Sequence, residues 1–169
     1  MNVVLIGFMG TGKSAVGRVL AKWLGWPFYD VDEMIEKETG LAIADIFSQN
    51  GEASFRDLEC RAVARVGALN RAVIATGGGV PLQEDNMREL ERNGLVFCLS
   101  ARPETVLKRL QKEMHVRPLL KGKDPVRTVE ELLRVRQKNY ARCRHTIETD
   151  EWTVEQAAEK IMSLIPKPT

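Results

Sequence analysis

The chain has 169 residues, 44% of them hydrophobic, which is enough to bury the core of one domain and excludes wholesale disorder. Its 25 Lys and Arg against 23 Asp and Glu leave a formal net charge of +2, too balanced for a general nucleic-acid or membrane-surface binder. No apolar run approaches the ~18 residues of a membrane span, and the N-terminus enters a strand-like run without the basic segment or cleavage pattern of a signal peptide. Cys60, Cys98 and Cys143 are odd in number and form no C-x-x-C pair, so they read as free thiols of a cytoplasmic protein. Cys143 and His145 lack the second pair of ligands that a zinc site needs.

Taken in chain order, residues 3–6 make a short, fully apolar strand. Residues 14–24 place Val16, Leu20 and Leu24 at helical spacing, with Gly25 as the stop. Residues 27–29 form a second strand ending in Asp30, and 32–39 a helix closed by Gly40. Two further helices cover 43–49 and 52–69, and a strand over 71–75 runs into Gly77, Gly78 and Gly79. A helix over 83–93 stops at Gly94, and 95–99 is another apolar strand. Pro103 suits the first turn of a helix that reaches about Lys112. The stretch 114–125, with two prolines, a glycine and several basic side chains, reads as a mobile loop. A helix over 129–142, a strand over 146–148 and a helix over 154–164 complete the chain, without repeats or linkers.

Apolar strands alternating with helices predict an α/β domain whose parallel sheet is covered on both faces, a three-layer sandwich. Ligands of such sheets sit at the carboxyl ends of the strands. Gly7, Asp30 and Gly77 each stand at such an end, so their loops should share one site.

The first of these loops, Gly7-Phe8-Met9-Gly10-Thr11-Gly12-Lys13-Ser14, fits G-x-x-x-x-G-K-[ST], the phosphate-binding P-loop. Glycines let successive backbone amides turn inward around phosphate oxygens, and the helix that follows presents its N-terminus to the same anion. Lys13 reaches the β- and γ-phosphates, and the Ser14 hydroxyl ligates Mg²⁺. The bare pattern also fits a tight strand-to-helix turn, but the strand before it and the helix behind it favour nucleotide binding.

Asp30 and Asp32 are alternate residues at a strand end, so two carboxylates can face one site. One can hold a metal-bound water and the other can accept the proton of an attacking hydroxyl. The competing reading makes Asp32 a helix N-cap and Asp30 a solvated turn residue. Three consecutive glycines pack nothing themselves; they serve a turn or the close approach of a ligand. Arg56 and Arg136 have charged neighbours that would suit surface ion pairs, whereas Arg117 lies in the proline-containing loop.

Together these segments resemble the shikimate kinase family. The resemblance is carried by GFMGTGKS, the Asp-x-Asp of FYDVD, ETGLAIADIFSQNGEASFRDLE, TGGG, the RPLL of the loop, and R-x-x-x-Y from Arg136 to Tyr140. It runs from the P-loop to about Tyr140, and the order and spacing of the segments are far more specific than the P-loop alone. It implies a P-loop kinase fold with five parallel strands in the order 2-3-1-4-5. The whole of residues 1–169 would be one kinase domain with a mobile lid at about 112–125. The implied reaction phosphorylates the 3-hydroxyl of shikimate with ATP and Mg²⁺, giving shikimate 3-phosphate and ADP. A cytoplasmic monomer whose partners are small molecules follows from the same reading.

The resemblance also assigns roles. Asp32 would bind substrate hydroxyls and act as base, and Asp30, with Ser14, would serve the Mg²⁺. Arg56 and Arg136 would grip the shikimate carboxylate, and Gly77, Gly78 and Gly79 would offer backbone contacts. Gly10, Thr11, Gly12, Lys13, Ser14 and Ala15 would hold the nucleotide phosphates, and Arg117 would reach the transferring phosphate. The family often has two adjacent arginines before the lid, one of them stacking on adenine; here Lys108-Arg109-Leu110 stands there, which gives that role to Arg109. The adenine loop would begin at the acidic, tryptophan-containing stretch 148–152. A gluconate kinase on the same scaffold would not need the two arginines with an RPLL lid. A non-catalytic nucleotide binder would not need both Lys13 and Asp32.

Overall fold

The structure is a computed structural model that describes residues 1–111 and 124–166. Its elements are β1 (Asn2–Gly7), α1 (Lys13–Leu24), β2 (Phe28–Asp30), α2 (Val31–Thr39), α3 (Ile43–Gly67), β3 (Val73–Ala75), α4 (Glu84–Asn93), β4 (Gly94–Ser100), α5 (Pro103–Leu110), α6 (Pro125–Ala141), β5 (His145–Glu148) and α7 (Val154–Leu164), with a 3-10 turn at Val80–Leu82. The strands form one parallel sheet in the order β2-β3-β1-β4-β5, as expected.

The central strand shows why three layers form. Every residue of β1 is buried, and alternate side chains enter different cores. Val4 and Ile6 pack with Ile35, Ile46, Val63, Met87 and Leu90, which come from α2, α3 and α4. Val3 and Leu5 pack with Val16 and Leu20 of α1 and with Ala157, Ala158 and Ile161 of α7. A smaller cluster of Phe8, Val106, Leu110 and Val129 seats α5 and α6 against the loop after β1. Among the described residues, no helix is long and apolar enough to cross a membrane.

Several boundaries differ from the sequence reading. The two helices expected over 43–49 and 52–69 are both present and meet at a kink at Gly51, whose φ of 80° and ψ of 168° are not helical; together they form α3, which ends at Gly67 and not at 69. The expected strand over 71–75 starts only at Val73, because Arg71 lies in the left-handed region with φ 58°. Gly94 stops α4 as expected; it is extended, with φ −122° and ψ 139°, and also opens β4, one residue earlier than expected. The helix expected from residue 129 starts earlier, at Pro125. Asp124 is its N-cap and accepts a hydrogen bond from the Arg127 amide at 3.1 Å. Asp124 and Pro125 therefore belong to α6 and not to a loop. The rest of the expected lid, Arg117 included, falls on residues 112–123, outside the described residues.

A side chain at Gly94 would have nowhere to go: its Cβ would stand 2.4 Å from the Leu90 carbonyl oxygen and 2.7 Å from Val4 Cγ2. Gly94→Ala should therefore lower the melting temperature by about 5 °C or more, through overpacking of the helix-to-strand junction. Thermal unfolding of the variant beside the wild type checks this; an unchanged midpoint would show that the junction relaxes freely.

Candidate active site

Residues from the carboxyl ends of β1, β2 and β3 converge on one cleft. The loop after β1 is closely packed. A Cβ at Gly7 would lie 2.2 Å from the Leu99 carbonyl oxygen, and Gly10 and Gly12 have φ of 74° and 94°. Gly12 is the N-cap of α1 and offers no side-chain cap, and the first turn of α1 has no acidic residue. The N-terminal amides of α1 are thus left to an external anion, as a phosphate site requires. By contrast, α2 has both a capping carboxylate and acidic residues in its first turn. Lys13 is largely buried, and its Nζ donates to the Phe8 carbonyl at 2.7 Å, which folds the ammonium over the loop.

The two carboxylates after β2 have different surroundings. Asp30, not Asp32, is the N-cap of α2: its Oδ1 accepts from the amides of Asp32 at 3.0 Å and Glu33 at 3.3 Å. Its Oδ2 accepts from the Ser14 hydroxyl at 2.5 Å. Asp32 instead points toward the triple glycine; a Cβ at Gly77 would meet its Oδ1 at 2.8 Å and Glu59 Oε1 at 2.9 Å.

Two cavities share this region. One, of about 270 Å³, is lined by Gly10, Gly12, Lys13, Ser14, Ala15, Asp30 and Arg109. The other is lined by Phe47, Phe55, Arg56, Glu59, Gly79 and Arg136. Met9, Asp32, Gly77 and Gly78 line both and so form the wall between them. A larger cavity, of about 540 Å³, lies between Ser100–Arg102 and Glu148–Trp152. Its lining includes Glu148, Asp150 and Glu151, and its one arginine, Arg102, faces Asp150 and Glu151 at 3.5 and 3.7 Å, so it is not built for an anion.

The second cavity is built around two arginines, Arg136, which is buried, and Arg56, which is partly exposed. Arg136 on α6 is 4% exposed, and its Nη1 would stand 3.4 Å from a Cβ at Gly78. One turn further on, the Tyr140 hydroxyl donates to the Gly78 carbonyl at 2.8 Å. Burial pushes the Tyr140 hydroxyl up to about 12, so it stays a donor. Arg56 on α3 donates to Glu59 Oε2 at 2.8 Å and to Glu52 Oε1 at 3.1 Å. Arg136 is therefore not the surface residue that its neighbours in sequence allow, whereas Arg56 does pair with its neighbours Glu52 and Glu59 while lining the cavity.

Glu59 was not singled out from the sequence. It is fully buried, and its Oε1 has no hydrogen-bond partner among the described residues. Burial pushes its carboxyl up, and the nearby Arg56 charge offsets only part of that rise. Its signal was the R-x-x-E spacing of Arg56 and Glu59, which puts both on one helix face. On the nucleotide side, Arg109 Nη1 donates to the Gly10 carbonyl at 3.2 Å and to Thr149 Oγ1 at 3.0 Å, and its Nη2 donates to the Thr149 carbonyl at 2.5 Å. Thr149 had no recognisable sequence signal.

A phosphate loop at the centre of a 2-3-1-4-5 sheet, beside a pocket lined by two arginines, defines a P-loop kinase for a small anionic acceptor. The comparisons with known proteins make this specific. The family model "Shikimate kinase" matches residues 9–166. A curated shikimate kinase of Thermodesulfovibrio yellowstonii is 47% identical over 161 residues, which is 95% of this chain and 92% of that protein. The solved shikimate kinase of Acinetobacter baumannii, in complex with shikimate, superposes with a TM-score of 0.92 at 37% identity, over 96% of this chain and 91% of that one. A gluconokinase from Sinorhizobium meliloti reaches a TM-score of 0.59 at 15% identity over 96% of this chain and 89% of that one, a likeness of fold alone. The chain belongs to the shikimate kinase family.

The arginine pocket makes its own prediction. A Cβ at Gly79 would stand 2.1 Å from Arg56 Nη1, the far end of a flexible side chain, and Gly79 has an ordinary helical φ of −89°. Gly79→Ala should therefore displace the guanidinium with little loss of fold stability. We expect the KM for the anionic acceptor to rise about tenfold while the melting temperature moves by less than about 3 °C. Steady-state kinetics and thermal unfolding of the same preparation decide this; an unchanged KM would remove Arg56 from acceptor binding.

Proposed function

We propose that the chain transfers the γ-phosphate of ATP to the 3-hydroxyl of shikimate, giving shikimate 3-phosphate and ADP for aromatic amino-acid synthesis. The observation that carries this reading is the position of Asp32 on the wall shared by the phosphate-loop cavity and the arginine pocket. A hydroxyl held there faces a carboxylate on one side and the nucleotide phosphates on the other. Asp32 binds the acceptor hydroxyl and takes its proton as the bond to phosphorus forms. Arg56 and Arg136 bind the shikimate carboxylate with planar guanidinium groups. Gly77, Gly78 and Gly79 let the acceptor approach the backbone.

The phosphate side is formed by Gly10, Thr11, Gly12, Lys13, Ser14 and Ala15, with Lys13 supplying positive charge to the β- and γ-phosphates. The Ser14 hydroxyl would ligate Mg²⁺, and Asp30, whose Oδ2 accepts from that hydroxyl at 2.5 Å, would hold a metal-bound water, an all-oxygen set that fits the ion. Bound there, the ion would neutralise charge on the phosphates. Phosphoryl transfer depends mainly on positioning and charge neutralisation, and this constellation supplies both. Arg109 lines the nucleotide cavity and is assigned to the adenine side. Arg117, outside the described residues, is assigned to the transferring phosphate, and the surrounding stretch to a lid that excludes water. The reading includes one kinase domain working as a monomer in the cytoplasm, which fits the free thiols of Cys60, Cys98 and Cys143.

The direct test is a coupled ADP-release assay with Mg-ATP and shikimate, gluconate or AMP at matched concentrations. Turnover with shikimate alone is expected; ATP binding without shikimate turnover would overturn the acceptor assignment. Arg136→Ala should raise the KM for shikimate about 10- to 100-fold and leave that for ATP nearly unchanged. Equal effects on both would argue against the carboxylate role. Asp32→Asn should lower kcat by a factor of about 10² to 10⁴ in a folded protein, as circular dichroism would confirm. Near-normal turnover would leave Asp32 without a chemical role.

A further inference from the structure

Thr149 follows β5 directly and is 4% exposed, although its side chain is polar. Its hydroxyl has two acceptors at 3.1 Å, the carbonyls of Thr11 and Ser100. The Ser100 carbonyl already accepts the Thr149 backbone amide at 2.9 Å. A hydroxyl has one proton to give, so the Thr11 carbonyl is the acceptor that depends on it. The same hydroxyl oxygen accepts from Arg109 Nη1 at 3.0 Å, and the Thr149 carbonyl accepts from Nη2 at 2.5 Å. Held in this way, Arg109 Nη1 also donates to the Gly10 carbonyl at 3.2 Å.

Gly10 and Thr11 are consecutive residues of the phosphate loop, so two adjacent carbonyls of the loop are tied to this one knot. A trans peptide is planar, and its C=O and N–H point in opposite directions. Fixing the Gly10 and Thr11 carbonyls toward Thr149 and Arg109 therefore turns the amides of Thr11 and Gly12 the other way. Glycines on both sides of Thr11, at φ 74° and 94°, leave these peptide planes little intrinsic preference, so an outside constraint is needed.

We infer that Thr149 is a positioning residue of the phosphate loop: its buried hydroxyl holds the Thr11 carbonyl and seats Arg109 on the Gly10 carbonyl, which orients the Thr11 and Gly12 amides toward phosphate. The inference rests on the nucleotide-binding part of the proposed function and not on the identity of the acceptor. Its test therefore measures binding without any acceptor. Thr149→Val keeps the shape and removes the hydroxyl; Thr149→Ser keeps the hydroxyl and removes the methyl.

Calorimetry with Mg-ADP and with inorganic pyrophosphate, a ligand with no base, reads the loop directly. For Thr149→Val, the Kd of both ligands should rise about tenfold or more, and Thr149→Ser should stay within about twofold of the wild type. In turnover, Thr149→Val should raise the KM for ATP and leave that for shikimate within about twofold. If Thr149→Val does not fold, Thr149→Ala carries the same comparison, since it also lacks the hydroxyl. Unchanged Kd values would overturn the inference. So would a loss confined to ADP, which would place the effect on the base, or a Ser variant as weak as Val, which would place it on the methyl. A wild-type protein that binds neither ligand would sink the nucleotide reading, and this inference with it.

Discussion

A parallel sheet with helices on both faces leaves its ends as the places where side chains and ligands can meet, and all its strands finish at the same end. β1 imposes this constraint on the rest of the molecule. It is buried along its whole length between β3 and β4, with one core on each face. Its loop must leave the sheet upward, over the ends of its neighbours. Gly7 makes that exit possible, because the Leu99 carbonyl of β4 occupies the space of a side chain there. The ends of β2 and β3 then bring Asp30, Asp32 and Gly77 to the same edge, and α3 and α6 add Arg56 and Arg136 from one side.

The electrostatics of that edge divide in two. Toward the nucleotide, positive potential comes mostly from backbone: the uncapped N-terminus of α1 and the turned peptides of the loop, with Lys13 folded over them. Toward the acceptor it comes from guanidinium groups in a buried setting. Such burial is costly unless partners are present, and here Glu59 supplies one to Arg56. The pair is not neutral in effect, since burial still pushes the Glu59 carboxyl up. The pocket thus gathers two guanidinium groups and a buried carboxylate at the side of the cleft away from the phosphate loop.

Features that depend on nearby residues were legible in the sequence. The phosphate loop is a local motif, and the alternation of strands and helices was enough for a parallel sheet covered on both faces, while its strand order came from the family resemblance. Features that depend on distant contacts were not. Nothing local distinguishes Arg136 from a surface arginine; its burial against Gly78 and Tyr140 arises when α6 packs over the triple glycine. Thr149 is one threonine among several until β5 places it under Arg109 and Thr11. One helix end was misread for a related reason: Pro125 looked like part of a loop but is the first residue of α6.

The exchange of roles between Asp30 and Asp32 shows how few groups set the geometry. The sequence offered Asp32 as the cap of α2, and a cap had to be found because the first amides of a helix have no partners within it. Asp30 takes the task with one oxygen and uses the other for Ser14 in the first turn of α1. One side chain thus ties the start of the phosphate-binding helix to the start of the helix that carries Asp32. With the cap supplied by Asp30, Asp32 does not have to bend back to the backbone, and its carboxylate can turn toward Gly77. The spacing of Ser14 and Asp32 is therefore set by two hydrogen-bonded steps through Asp30.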